Sequence, residues 1–140
     1  MTPLVIDASV IIKWFIDELH ADSARKLQAD DYELLAPDLL WAECGNILWK
    51  KVARRELTPA EARLIRNGLE RQPIDTFSSK LLLEPALEIA LDTGRTVYDG
   101  CYLAVAMLSD TKLVTADERL FNSLSKSTYR ENLMWVAEVG

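Results

Sequence analysis

The amino-acid sequence predicts an α/β fold: a three-layer α/β/α sandwich with a central parallel sheet. Three observations lead there. Short apolar runs of strand length recur along the chain, at Leu4–Ile6, Glu33–Ala36, Ile74–Phe77, Lys112–Thr115 and Leu133–Val136. Segments with helical spacing of apolar residues separate them, so successive strands are joined by crossovers and pair in parallel, covered on both faces. The 140 residues suit a single domain spanning 1–140, long enough to bury roughly 68–70% of its unfolded surface without staples.

Each element has its own signal. Leu4-Val5-Ile6 is a buried strand stopped by Asp7-Ala8-Ser9. Ser9 is placed to cap a helix through Val10, Ile11, Ile12 and Phe15, and a second helix covers Ala21 to Ala29. Glu33 to Ala36 is a strand ended by Pro37, and Asp38 is a candidate N-cap for a long helix from Leu39 to about Arg54. Thr58-Pro59-Ala60-Glu61 combines a cap, a proline at the first helical position and an acid in the first turn, which starts a helix running to about Arg71. After the Ile74–Phe77 strand come a helix from Pro85 to Leu91 that ends near Gly94, and a helix from Val97 to Leu108. A strand at Lys112–Thr115, a helix at Glu118–Leu124 and a strand at Leu133–Val136 complete the chain.

Composition excludes several classes of function. Hydrophobic residues make up 49% and charged residues 27%, a globular composition and not a disordered one. The aliphatic stretch Leu103–Leu108 is far short of the ~20 residues that cross a bilayer. Met1-Thr2-Pro3 begins no secretory signal. A cytoplasmic protein with no membrane association is therefore expected. Cys44 and Cys101 are too few and too far apart for a redox pair or a zinc knuckle, and read as reduced, partly buried thiols. A net charge of −6 argues against generic adhesion to a polyanion. The charge is polarised, however: from Cys44 to Arg71 seven basic residues face three acids, a local +4 that leaves −10 elsewhere.

In an open parallel sheet, ligands bind beyond the carboxyl ends of the strands. Asp7 follows the first strand directly, and Asp117 follows the Lys112–Thr115 strand by two residues. Either alone is explained as a cap or turn residue; two in one small domain point into the same crevice. Glu43 lies inside the Leu39–Arg54 helix, where Lys50 and Arg54 fall within ~20° of it around the axis and Asn46 and Ile47 flank the line. That stripe suits equally an ordinary solvated helix face and a carboxylate leading into a phosphate track. Asp99 heads an apolar helix, where the macrodipole gives it an innocent explanation, but burial of that helix would set its charge at the rim of the sheet, in want of a cation. Lone His20 reads as a solvated loop residue.

Four carboxylates with no His or Cys cluster suit Mg2+ or Mn2+ better than Zn2+. Such a cluster is costly unless cations neutralise it, and the chemistry that uses it is metal-assisted hydrolysis of a phosphodiester. No glycine-rich nucleotide loop is present.

Four segments in order carry a family resemblance: Val5-Ile6-Asp7-Ala8-Ser9, Glu43 with Asn46 and Leu48, Arg95-Thr96-Val97-Tyr98-Asp99 with Tyr102-Leu103-Ala104, and Leu113-Val114-Thr115-Ala116-Asp117. The chain resembles a PIN-domain ribonuclease, more narrowly a VapC-type toxin of a toxin–antitoxin pair, from Leu4 to about Trp135. The resemblance implies a PIN-like sandwich and Mg2+- or Mn2+-dependent endoribonuclease activity on RNA. It makes Asp7, Glu43, Asp99 and Asp117 the catalytic, metal-binding acids. Thr115 and Ser9 become hydroxyls that orient water or carboxylates, and Asn46 a polar support beside Glu43. With Lys50 and Arg54, Asn46 forms the expected contact to the RNA backbone. Arg95, Thr96 and Tyr98 match the family in packing and loop geometry. Gly100-Cys101 departs from the small alanine that many relatives carry after the third acid, a tolerable departure that would at most loosen the start of that helix. The family also implies a homodimer held inactive by a small VapB-type antitoxin whose tail places a basic residue near the acids.

Two other readings compete. A catalytically silent PIN-fold module would recognise RNA or a partner without cutting, although all four acids are present. An Asp-based phosphohydrolase is disfavoured. A dehalogenase-type phosphatase needs Asp where Ser9 stands, and a receiver domain needs a neighbouring acid pair and a later strand-end lysine.

Overall fold

The computed structural model describes residues 1–140. The chain forms β1 (Thr2–Ile6), α1 (Ala8–Ile11), α2 (Ala21–Arg25), β2 (Tyr32–Pro37), α3 (Leu39–Ala53), α4 (Pro59–Glu70) and β3 (Ile74–Phe77). It continues with α5 (Ser79–Thr93), α6 (Val97–Leu108), β4 (Leu113–Thr115), α7 (Glu118–Ser125) and β5 (Leu133–Trp135). The strands form one sheet in the order β3-β2-β1-β4-β5, and every pairing is parallel.

This order fixes where a ligand can sit. From β1 the chain steps outward through β2 to β3, then returns over the sheet by α5 and α6 to place β4 on the other side of β1. The switch point therefore lies between β1 and β4, and a crevice opens there at the carboxyl ends of the strands. Asp7 leaves β1 and Asp117 follows β4, one on each side of it.

Burial follows position in the sheet. Leu4, Val5 and Ile6 of β1 and Leu113, Val114 and Thr115 of β4 are all buried, as strands covered on both faces must be. The edge strand β3 has no fully buried residue. Helix α6 is buried from Gly100 through Ala106. Cys44 and Cys101 are free and buried; burial pushes the Cys44 thiol up to about 12 and raises that of Cys101, so both are inert. No helix is long and apolar enough to cross a membrane.

Several boundaries differ from the sequence reading. Asp7, not Ser9, caps α1, its carboxylate accepting from the Val10 amide. That helix lasts only to Ile11 before tightening into a 3-10 turn at Ile12–Trp14, because the β-branched run Val10-Ile11-Ile12 propagates a helix poorly. Similarly, α2 stops at Arg25 and a 3-10 turn covers Lys26–Gln28. Asp38 makes no cap bond; its carboxylate instead accepts from the Ser79 hydroxyl at 2.6 Å. Helix α5 begins six residues before Pro85, capped by Ser78, whose hydroxyl accepts from the Leu81 amide at 3.2 Å. Pro85 removes one bond from the helix, and burial of Leu82, Ala86 and Ile89 offsets the loss.

The Gly100 departure has the opposite sense to a loosening. A Cβ at Gly100 would lie 2.5 Å from the Ala86 carbonyl oxygen of α5, so glycine is what lets α5 and α6 close on each other.

Candidate active site

The crevice is built outward from Asp7. The residue is 6% exposed, and its Oδ1 accepts from the Ser9 hydroxyl at 2.6 Å and the Val10 amide at 3.2 Å. The Ser9 oxygen in turn accepts from the Ala116 amide at 3.1 Å, which ties the exit of β1 to the exit of β4. Thr115, fully buried behind this junction, accepts the Asp117 amide at 3.0 Å. Asp117 caps α7, accepting from the Leu120 amide at 3.2 Å. Burial raises the Asp7 carboxyl from 3.8 to about 6; the Ser9 and Thr115 hydroxyls and the Val10 amide pull it down, and the neighbouring Asp117 charge adds to the rise.

The opposite wall comes from α3 and α6. Glu43 is half-buried on α3, and the Tyr102 hydroxyl of α6 donates to its Oε1 at 2.5 Å. Burial raises the Glu43 carboxyl, the Tyr102 bond lowers it, and the Asp99 charge raises it again. Thr96 caps α6 by accepting the Asp99 amide at 3.1 Å. Arg95, one helical turn before Asp99, holds its Oδ2 with Nε at 3.1 Å and Nη2 at 3.0 Å. Between the walls lies a cleft of about 580 Å³ lined by all four acids.

The sequence matches the PIN domain family over residues 4–126. The chain belongs to the PIN-domain family. Over 119 residues it is 34% identical to the ribonuclease VapC3 of Pyrobaculum aerophilum, a match that covers 84% of this chain and 91% of that protein. A crystal structure from Pyrobaculum aerophilum superposes with a TM-score of 0.67 at 25% identity, covering 97% of this chain and 85% of the other. A toxin–antitoxin complex from Klebsiella pneumoniae superposes with a TM-score of 0.62 at 14% identity, a likeness of fold that covers 94% of this chain and 95% of the other.

In this PIN domain the cleft gathers Asp7, Ser9, Glu43, Asn46, Lys50, Asp99 and Asp117. Thr115 stands behind the wall, where its hydroxyl accepts the Asp117 amide and lowers the Asp7 carboxyl. Arg54 does not line the cleft: it is the exposed C-cap of α3. Angular agreement with Glu43 hid a displacement along the axis of about 16 Å at 1.5 Å per residue. His20 is not a solvated loop residue either, since it is half-buried with its ring edge-on to Trp135. Two side chains bonded to the acids were not linked to them by the sequence reading. Arg95 restrains an acid instead of only shaping a loop, and its four-residue spacing to Asp99 was the available signal. Tyr102 lies three residues after Asp99, but nothing local joins it to Glu43.

The donor set fits a hard divalent cation. All four acids offer oxygen, no His or Cys intrudes, and the neighbouring charges of Asp117 on Asp7 and Asp99 on Glu43 raise carboxyls that a cation would relieve. No three of the metal-ligating side chains stand close enough to hold one ion between them; like charges repel, and each carboxylate is settled on its own donor, Val10 and Ser9, Tyr102, Arg95 or Leu120.

Proposed function

We propose that this PIN domain is a Mg2+- or Mn2+-dependent endoribonuclease, the toxin of a VapBC-type pair, acting on RNA in the cytoplasm. The observation that carries the reading is that Asp7, Glu43, Asp99 and Asp117 line one cleft at the switch point of the sheet. The 34% identity to a protein named ribonuclease VapC3 supports the choice of RNA as substrate.

Asp7, Glu43, Asp99 and Asp117 would turn from their present donors to hold the cation, which would supply a nucleophilic water near neutral pH and offset charge on the phosphoryl oxygens. The remaining work falls to the chain. Burial raises the Asp7 carboxyl to about 6, and Asp7 must give up its proton to become a ligand. Ser9 and the Val10 amide fix which oxygen of Asp7 faces the cleft. Tyr102 offsets part of the burial that raises the Glu43 carboxyl, and Arg95 restrains the Asp99 carboxylate. Asn46 and Lys50, exposed at the mouth, present an amide and a cation to the RNA backbone; Arg54 lies farther along α3, where it can meet only a more distant phosphate.

The antitoxin is a small basic-tailed protein of VapB type, whose cationic side chain the four acids would accept. Leu83, Leu87 and Leu91, exposed at four-residue intervals on α5, supply an apolar face suited to a homodimer.

Incubation of total RNA with wild type and Asp7→Asn, each with Mg2+, Mn2+ or EDTA, tests the activity. Discrete fragments from wild type alone, abolished by EDTA, are the expected result. Equal cleavage by Asp7→Asn would falsify the reading.

A further inference from the structure

A second cavity, of about 490 Å³, adjoins the carboxylate cleft across the Ala116-Asp117-Glu118 turn. The two share one wall: Asp117 faces the cleft, and Ala116 and Glu118 on either side of it line the second cavity. The sheet register explains the proximity. Thr115 of β4 is paired with Trp135 of β5, so the indole leaves the sheet one strand spacing, ~4.8 Å, from the strand that leads to Asp117.

The lining is aromatic with a polar edge. The Trp135 ring lies 5.5 Å from that of Phe121 and meets the His20 ring edge-on at 5.7 Å. His20 is held at φ 67°, a left-handed turn conformation in which histidine is enriched and which sets its ring against Trp135. Lys13, Leu19, Asn122, Glu118 and Glu138 complete the wall. Lys13 is nearly buried and bonded to Glu18 at 3.1 Å.

We propose that this cavity is a nucleobase subsite, which takes one unpaired base of the RNA next to the scissile phosphate and stacks it on Trp135; the inference rests on the nuclease reading above. Single-stranded RNA is recognised by splaying out a base onto an aromatic side chain and hydrogen-bonding its edge. The charges orient the nucleotide. Glu118 and Glu138 repel a phosphate but accept from an exocyclic amine, so the base enters the cavity while the phosphate stays in the cleft with Lys50 and the cation that the four acids would hold. Bases that carry an amine therefore bind better than uracil.

The test uses full-length protein carrying Asp7→Asn, which prevents cutting, and a single-stranded RNA hexamer with one 2-aminopurine, whose fluorescence falls when it stacks on an indole. Binding with quenching is expected. Trp135→Leu, which retains an apolar side chain but no ring, weakens binding roughly tenfold and abolishes quenching, whereas Trp135→Phe restores most of the affinity. An otherwise equal hexamer with uracil in place of the 2-aminopurine binds more weakly, as read by anisotropy of an end label. Unchanged affinity in a folded Trp135→Leu protein overturns the proposal, as does absence of quenching with Trp135 in place. If Trp135→Leu melts early, Asn122→Ala on exposed α7 surface decides: weaker hexamer binding supports the site and unchanged binding overturns it. Metal-dependent cleavage of total RNA by the wild-type protein reads the nuclease separately, so cleavage retained with unaltered fragment ends in Trp135→Leu removes the subsite and leaves the nuclease standing.

Discussion

Tyr102 donates its phenolic hydrogen to Glu43 Oε1 across 2.5 Å, joining α6 to α3 at the floor of the acid cleft. The tyrosine is 3% exposed, and burial, with Glu43 beside it, pushes its own ionisation far up, so it remains a donor at every working pH. Tyr102→Phe leaves a half-buried carboxylate short of a donor, at a cost of about 1–3 kcal/mol. Because the bond lowers the Glu43 pKa, its loss raises that pKa, and the acid limb of the pH–activity profile moves to higher pH. A pH–rate comparison with wild type checks this; superimposed acid limbs would refute it.

Asp7 makes stability depend on pH. Its folded-state pKa of about 6 exceeds the ordinary 3.8, so between those values the folded protein binds more protons than the unfolded chain and stability falls as pH rises. Above pH 6 the full cost remains, about 3 kcal/mol. Asp7→Asn removes that charge and keeps an acceptor for the Ser9 hydroxyl and Val10 amide. In EDTA at pH 7.5 the variant melts several degrees above wild type, and the gap closes toward pH 4. A gap that does not depend on pH contradicts the assignment. The same variant has no cleavage activity.

Ser9 both donates to Asp7 and accepts from Ala116. Ser9→Ala breaks both bonds, which lowers stability by about 1–3 kcal/mol and raises the Asp7 pKa further. Cleavage by the variant therefore falls more at pH 6 than at pH 8. Denaturant melts and cleavage rates at the two pH values measure the two effects separately.

Gly100→Ala forces a methyl group to within 2.5 Å of the Ala86 carbonyl, and α5 and α6 must separate. Overpacking of this kind costs about 1–3 kcal/mol. Because Asp99 precedes the glycine, activity falls along with the melting temperature. Wild-type stability in this variant would show that the two helices yield freely.

The strands and the acids were legible along the chain because their causes are local. Leu4-Val5-Ile6 and Leu113-Val114-Thr115 are apolar enough to require cover on both faces, and Thr58-Pro59-Ala60-Glu61 carries its helix start in four letters, realised as a reciprocal cap. Asp7 and Asp117 follow strands, and that position alone aims them at the crevice. Local causes also misled: Pro85 marked a helix start only because proline favours one, whereas the Ser78 cap and the burial of Leu82, Ala86 and Ile89 start α5 at Ser79.

What tertiary structure decided is every relation between distant residues. The sheet order brings Asp7 and Asp117 to one crevice although 110 positions separate them, and only the α3–α6 approach pairs Glu43 with Tyr102. Register alone sets Trp135 beside the strand leading to Asp117. Rise along a helix axis, invisible on a helical wheel, removed Arg54 from the cleft that Lys50 lines. Sequence determined which side chains carry charge and which segments seek burial, because those are properties of residues and their neighbours. Distances between carboxylates, and the desolvation that lifts Asp7 toward neutrality, arise only once the sheet has closed around them.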